Sequence, residues 1–143
     1  MTEKIILLVE DNPDDEELAV RALKKHNVAN RIVSVRDGQQ ALDYLLEESQ
    51  PLPALVLLDL KLPKISGLEV LQRLRGNKRT ALLPVVVLTT SKEEQDLLNS
   101  YRSGCNSYIR KPVSFAEFAS AVQQLQIYWL VVNEPPPTNA SSQ

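Results

Sequence analysis

The chain has 143 residues, 43% of them hydrophobic and 24% charged, with a formal net charge of −2. That length suits one ordinary domain with a buried core, and the balance is that of a globular protein, without the basic excess of a nucleic-acid surface. A single cysteine, Cys105, excludes an internal disulfide and a Cys/His metal cluster.

Residues 5–9 form a continuous apolar run, as expected of a strand covered on both faces. The run is too short for a signal-peptide core or a membrane span, so a cytoplasmic protein is expected. Residues 14–26 then place Leu18, Ala19, Ala22 and Leu23 at helical spacing. Residues 32–35 read as a second strand, and 39–46 as a helix with Ala41, Leu42, Leu45 and Leu46 on one face. Pro51 and Pro53 favour an extended entry into a third apolar run at 54–58.

Gly67 and Leu68 open a third helix, with Leu71 and Leu74 following at helical intervals. Pro84 marks a break before the fourth strand, 85–88. Ser91 is the expected N-cap of the next helix, with Glu93 and Glu94 in its first turn. Residues 107–110 form a weaker fifth strand. Ser114 and Glu117 make a capping box for the last helix, which presents Phe118, Val122, Leu125 and Trp129. One domain over 1–132 is expected, followed by a disordered tail over 133–143 rich in Pro, Ser and Asn.

Five strands alternating with five helices predict a doubly wound α/β domain, a parallel sheet covered on both faces. Such sheets bind ligands at the carboxyl ends of their strands. Glu10 and Asp11 follow the first strand, Asp59 the third, Thr89 and Thr90 the fourth, and Lys111 and Pro112 the fifth. Three carboxylates in one cleft repel one another unless a cation joins them. With only oxygen ligands available, a hard cation such as Mg²⁺ fits best.

Asp59 is then the candidate nucleophile toward phosphorus, with Lys111 and the metal neutralising the transferring group and Thr89 donating a hydrogen bond to it. Each motif alone has an ordinary explanation as a helix cap, a loop acid or a surface turn. What sets them apart is that all four fall at the same sheet edge, each directly after a buried strand. A phosphatase with an aspartate nucleophile would want a second carboxylate two residues later, where Lys61 stands. The four glycines are dispersed and build no phosphate loop. His26 reads as a solvated histidine and Cys105 as a partly buried small residue.

Val9-Glu10-Asp11-Asn12, Leu57-Leu58-Asp59-Leu60-Lys61-Leu62-Pro63 with Gly67, Leu88-Thr89-Thr90 and Lys111-Pro112 together resemble the ordered motifs of response-regulator receiver domains. The resemblance runs from about residue 5 to residue 129. It implies a flavodoxin-like sheet of order 2-1-3-4-5 and a signalling protein that catalyses only its own phosphorylation and dephosphorylation. By the same resemblance, a sensor histidine kinase phosphorylates Asp59, and Glu10 and Asp11 form the acidic pocket. Mg²⁺ is then held by Asp11, Asp59 and the backbone carbonyl of Lys61, with Glu10 reaching it through water. Thr89 matches the switch hydroxyl, Lys111 the phosphate-contacting lysine, and Tyr108 the aromatic whose rotamer follows phosphorylation. The Lys111–Pro112 bond is expected to be cis. A lysine at position 61, beside the phosphate, is expected to slow or alter hydrolysis.

More narrowly, Glu10-Asp11-Asn12-Pro13-Asp14-Asp15, Ser34-Val35-Arg36-Asp37-Gly38, Val87-Leu88-Thr89-Thr90-Ser91 and Tyr128-Trp129-Leu130 are similar to small response regulators paired with phytochromes. A pseudo-receiver, an interaction module that is never phosphorylated, is the competing reading; it would normally lose an acid or the lysine, and this chain keeps them. Residues after Val132 are too few to fold, so output is expected through a protein contact or by passing the phosphoryl group onward. Leu125 and residues 127–132 are apolar on more than one face, which predicts a homodimer or partner contact there. The alternative is a tail folded back on its own core. No nucleic-acid or membrane partner is expected.

Overall fold

The computed structural model describes residues 4–25, 30–111 and 114–137. In chain order the elements are β1 (Lys4–Val9), α1 (Pro13–Lys24), β2 (Asn30–Val35), α2 (Gly38–Leu45), β3 (Leu55–Leu58) and α3 (Gly67–Arg75). They continue with β4 (Val85–Thr89), α4 (Glu94–Arg102), β5 (Ser107–Arg110), α5 (Phe115–Ile127) and a π-helical turn, Tyr128–Val132. All strand pairs are parallel, in the order β2-β1-β3-β4-β5.

Apart from the exposed Lys4 that opens β1 and the buried Thr89 that ends β4, the three central strands are apolar throughout, because both of their faces are covered. Leu7, Val9, Val56, Leu58, Val85 and Val87 turn toward α2 and α3, while Ile6, Leu8, Leu55, Leu57, Val86 and Leu88 turn toward α1 and α5. A strand's period of two thus feeds two separate cores. Fully burying one such side chain contributes about 1.5–3 kcal/mol, so these strands form the rigid centre of the domain. The edge strands β2 and β5 are only half-buried, which explains the weaker apolar signal at 107–110.

Register decides where the polar residues go. Val9 pairs with Leu58, Leu58 with Val87, and Val87 with Tyr108. Glu10 and Asp59 therefore leave neighbouring strands side by side, with the ends of β4 and β5 next to them.

Local chemistry starts most of the helices. Asn12 caps α1 by accepting from the Asp14 and Asp15 amides at 2.9 and 3.1 Å, with Pro13 at the first helical position. Asp37, Ser66 and Ser114 cap α2, α3 and α5 in the same way. Helix α4 departs from expectation. It begins at Glu94 with Glu93 as its cap residue and no side-chain cap bond. Ser91 is instead buried against the end of β4, donating to Asp96 Oδ2 at 2.6 Å. The packing of β4 outcompeted the local capping pattern.

The end of α5 combines both expected fates of the apolar segment. Leu125 and Leu130 are buried and Trp129 packs against them, whereas Ile127, Tyr128, Val131 and Val132 are exposed. Lys4, at the start of β1, donates its ammonium to the Leu130 carbonyl, which fixes the π-helical turn at the amino edge of the sheet. Residues 133–137 have no regular structure. The rest of the expected tail (138–143), His26 and the Lys111–Pro112 bond lie outside the described residues.

Candidate functional site

Four side chains meet at the carboxyl edge of the sheet. The Lys111 ammonium donates to Glu10 Oε1 at 2.6 Å, Asp15 Oδ2 at 2.8 Å and Asp59 Oδ2 at 3.1 Å. An ammonium has three N–H donors, and each here has a carboxylate acceptor. The Lys111 side chain is only 5% exposed, and those of Glu10 and Asp59 are nearly as buried.

Such a cluster is tolerable only because its charges are paired. Burial pushes the Glu10 carboxyl up, to about 7, against the opposing hydrogen bond and charge of Lys111. Burial also pulls Lys111 downward, but the hydrogen bonds of Asp15 and Glu10 and the charges of Asp59 and Glu10 prevail. The lysine is held above its ordinary value and stays charged.

Backbone geometry locks the cluster in place. The Lys111 amide donates to the Thr89 carbonyl at 2.7 Å, and the Asp59 amide to the Val9 carbonyl at 3.1 Å. Asp59 Oδ1 accepts from the Lys61 amide at 3.3 Å, so both carboxylate oxygens are engaged. Glu10 Oε2 accepts from the Asn12 amide at 3.1 Å, tying the acid to the cap of α1. Gly67 starts α3 directly against this loop. A Cβ there would lie 2.0 Å from the Asp59 carbonyl oxygen, so no larger residue fits without moving the Asp59 backbone.

Of the residues singled out from sequence, the structure brings Glu10, Asp59 and Lys111 into direct contact. Asp11 and Lys61 are exposed at the rim. Thr89 is fully buried at the end of β4, its Oγ1 accepting from the Ser91 amide at 3.3 Å. Tyr108 is half-buried on β5, and its hydroxyl has no hydrogen-bond partner among the described residues. Burial pushes its phenol up.

Asp15 is the residue sequence reasoning missed. It is a first-turn acid of α1 beside Asp14, yet it lies three positions past the Asn12 cap and reaches back over the strand ends. The signal was available in helix geometry, because the capped register fixes which first-turn acid faces the sheet.

Among the described residues, no three His, Cys, Asp or Glu side chains converge closely enough to hold a metal. Mg²⁺ does not require that, since it keeps several waters and takes one or two carboxylates. Two buried carboxylates sharing one ammonium, with Asp11 at the rim, leave negative charge in excess. Hard oxygen donors of this kind fit Mg²⁺.

A doubly wound sheet of this order, carrying acids after β1 and β3 and a lysine after β5, is the arrangement of a signalling receiver domain. The family described as response regulator receiver domain matches residues 6–123, and the chain belongs to it. Its members are signalling proteins rather than metabolic enzymes.

Among known proteins, the chain is 46% identical over 135 residues to the probable methanogenesis regulatory protein FilR2 of Methanothrix harundinacea, covering 92% of this chain and 87% of that one. It is 39% identical over 131 residues to response regulator Rcp1 of Synechocystis sp., covering 89% of each chain. The solved structure of the Mn²⁺-bound form of Rcp1 matches with a TM-score of 0.88 at 38% identity, over 94% of this chain and 99% of that one. The phosphorylated cyanobacterial phytochrome response regulator RcpA matches with a TM-score of 0.90, also at 38% identity, over 95% of this chain and all of that one. No described helix is long and apolar enough to cross a membrane.

Proposed function

We propose that Asp59 accepts a phosphoryl group from a sensor histidine kinase and that the domain signals this state to another protein. The observation that carries the reading is the Lys111 ammonium, buried at the junction of Glu10 and Asp59 where three strands end. A carboxylate oxygen of Asp59 attacks phosphorus, the new O–P bond forms as the donor's P–O or P–N bond breaks, and the donor leaves with that electron pair. Lys111 lies where it neutralises charge on the transferred group, which is most of what this transfer asks of a protein. Asp11, Asp59 and the Lys61 backbone carbonyl would hold Mg²⁺, with Glu10 reaching it through water, and the ion would supply further charge neutralisation.

Thr89, at the end of β4, would donate its hydroxyl to the new phosphoryl group. Its inward movement would vacate space for Tyr108 on the neighbouring strand β5. That exchange couples Asp59 to the surface of α4, β5 and α5.

A phytochrome-type kinase in the cytoplasm is the partner this reading favours, supported by RcpA, named as a phytochrome response regulator. The exposed apolar residues Ile127, Tyr128, Val131 and Val132 support a homodimer through the C-terminal helix region.

The test is incubation with acetyl phosphate and Mg²⁺, followed by intact mass. One added phosphoryl group, lost on treatment with EDTA before the donor is added and absent in Asp59→Asn, is expected. An unmodified wild-type protein with both small-molecule and kinase donors would contradict the reading and favour a pseudo-receiver.

A further inference from the structure

We infer that Asp15 is a positioning residue, a resting anchor that competes for the Lys111 ammonium with the group transferred to Asp59. The inference rests on the phosphoacceptor reading above. It starts from donor arithmetic. Lys111 has three N–H groups, and all three are taken by Glu10, Asp15 and Asp59. A phosphoryl oxygen on Asp59 therefore gains a Lys111 bond only by displacing one of these acceptors.

The three acceptors are not equivalent. Glu10 is the most buried and makes the shortest bond, and it is tied down by the Asn12 amide. Asp59 carries the new group itself. Asp15 sits at the rim with its side chain 26% exposed, so it is readily hydrated on release. Its side chain makes no hydrogen bond other than the one to Lys111 among the described residues. Asp15 is thus the acceptor whose bond to Lys111 is cheapest to exchange, and the one that competes with the phosphoryl group for it.

In the transfer from acetyl phosphate, an Asp59 oxygen bonds to phosphorus while the P–O bond to acetate breaks, and acetate leaves with the electron pair. Lys111 gives up no proton in this step. Asp15 changes only how freely the ammonium swings toward the developing charge, and so acts through Lys111 without touching the reacting atoms.

The test compares wild type with Asp15→Asn, Asp15→Glu and Asp14→Asn in phosphorylation rate, at saturating Mg²⁺ over a range of acetyl phosphate concentrations. Asp14 is the control for charge, since it neighbours Asp15 in α1 but is exposed. Asp15→Asn is expected to raise the maximal rate several-fold. Asp15→Glu, which keeps the carboxylate, should stay near wild type, and Asp14→Asn should change the rate less than twofold. Thermal unfolding of each variant establishes that the fold is retained. An Asp15→Asn rate equal to or below wild type overturns the inference, as does an equal effect of Asp14→Asn. A wild-type protein that takes up no phosphoryl group overturns the phosphoacceptor reading itself, and the anchor with it.

Discussion

The two edges of the sheet break opposite rules of protein interiors. At the carboxyl edge, Lys111, Glu10 and Asp59 bury charge. At the amino edge, beyond the Lys4 contact to Leu130, Tyr128, Val131 and Val132 expose apolar surface. Buried charge costs desolvation and is retained where paired groups have chemistry to perform. An exposed apolar patch gains nothing within the monomer and becomes favourable only when something covers it. On the proposed reading, the contrast separates an edge that would receive the phosphoryl group from a face that would meet a partner, joined by an apolar sheet.

The largest effect should come from breaking the charge balance. Lys111→Ala leaves Glu10 and Asp59 buried without their cation, at a cost of about 3–5 kcal/mol in chemical denaturation. Millimolar Mg²⁺ should recover part of that loss in the variant. At the other edge, Leu130→Ala removes a buried side chain of the same short segment that exposes Val131 and Val132. It should cost about 2–5 kcal/mol in the same experiment.

The exposed neighbours sharpen the comparison. Val131→Ser with Val132→Ser should change stability by no more than about 0.5 kcal/mol per site, because both side chains already face solvent. The pair should nevertheless weaken self-association measured by sedimentation. A specific consequence beyond its cost in stability is expected of Thr89→Ala, which removes a buried side chain and the acceptor of the Ser91 amide. That variant should still take up phosphate on Asp59 while its phosphorylation no longer shifts association as in wild type.

Much of this contrast was legible in the sequence. The two-sided cores follow from apolar runs long enough to be covered twice, the strand order came with the family resemblance, and the acids and lysine were assigned to the sheet edge because each follows such a run. Asp15 was legible only in part: the capped register of α1 turns it toward the sheet, but its partner Lys111 lies 96 positions away and no local pattern encodes that pairing. Ser91 misled for the converse reason: its local pattern is that of a cap, but burial against β4 claimed it. The π-helical turn at Tyr128–Val132 has no compositional signature, since it arises from seating Trp129 and Leu130 on the core.

The most direct test of the carboxyl edge is to locate the modification. Wild-type protein is treated with acetyl phosphate and Mg²⁺, reduced with borohydride to convert an acyl phosphate to the alcohol, digested and sequenced by tandem mass spectrometry. The expected result is conversion of Asp59 alone, with Glu10, Asp11 and Asp15 unchanged. Conversion of another carboxylate, or none in protein shown by intact mass to be phosphorylated, would contradict the assignment of Asp59 as the phosphoacceptor.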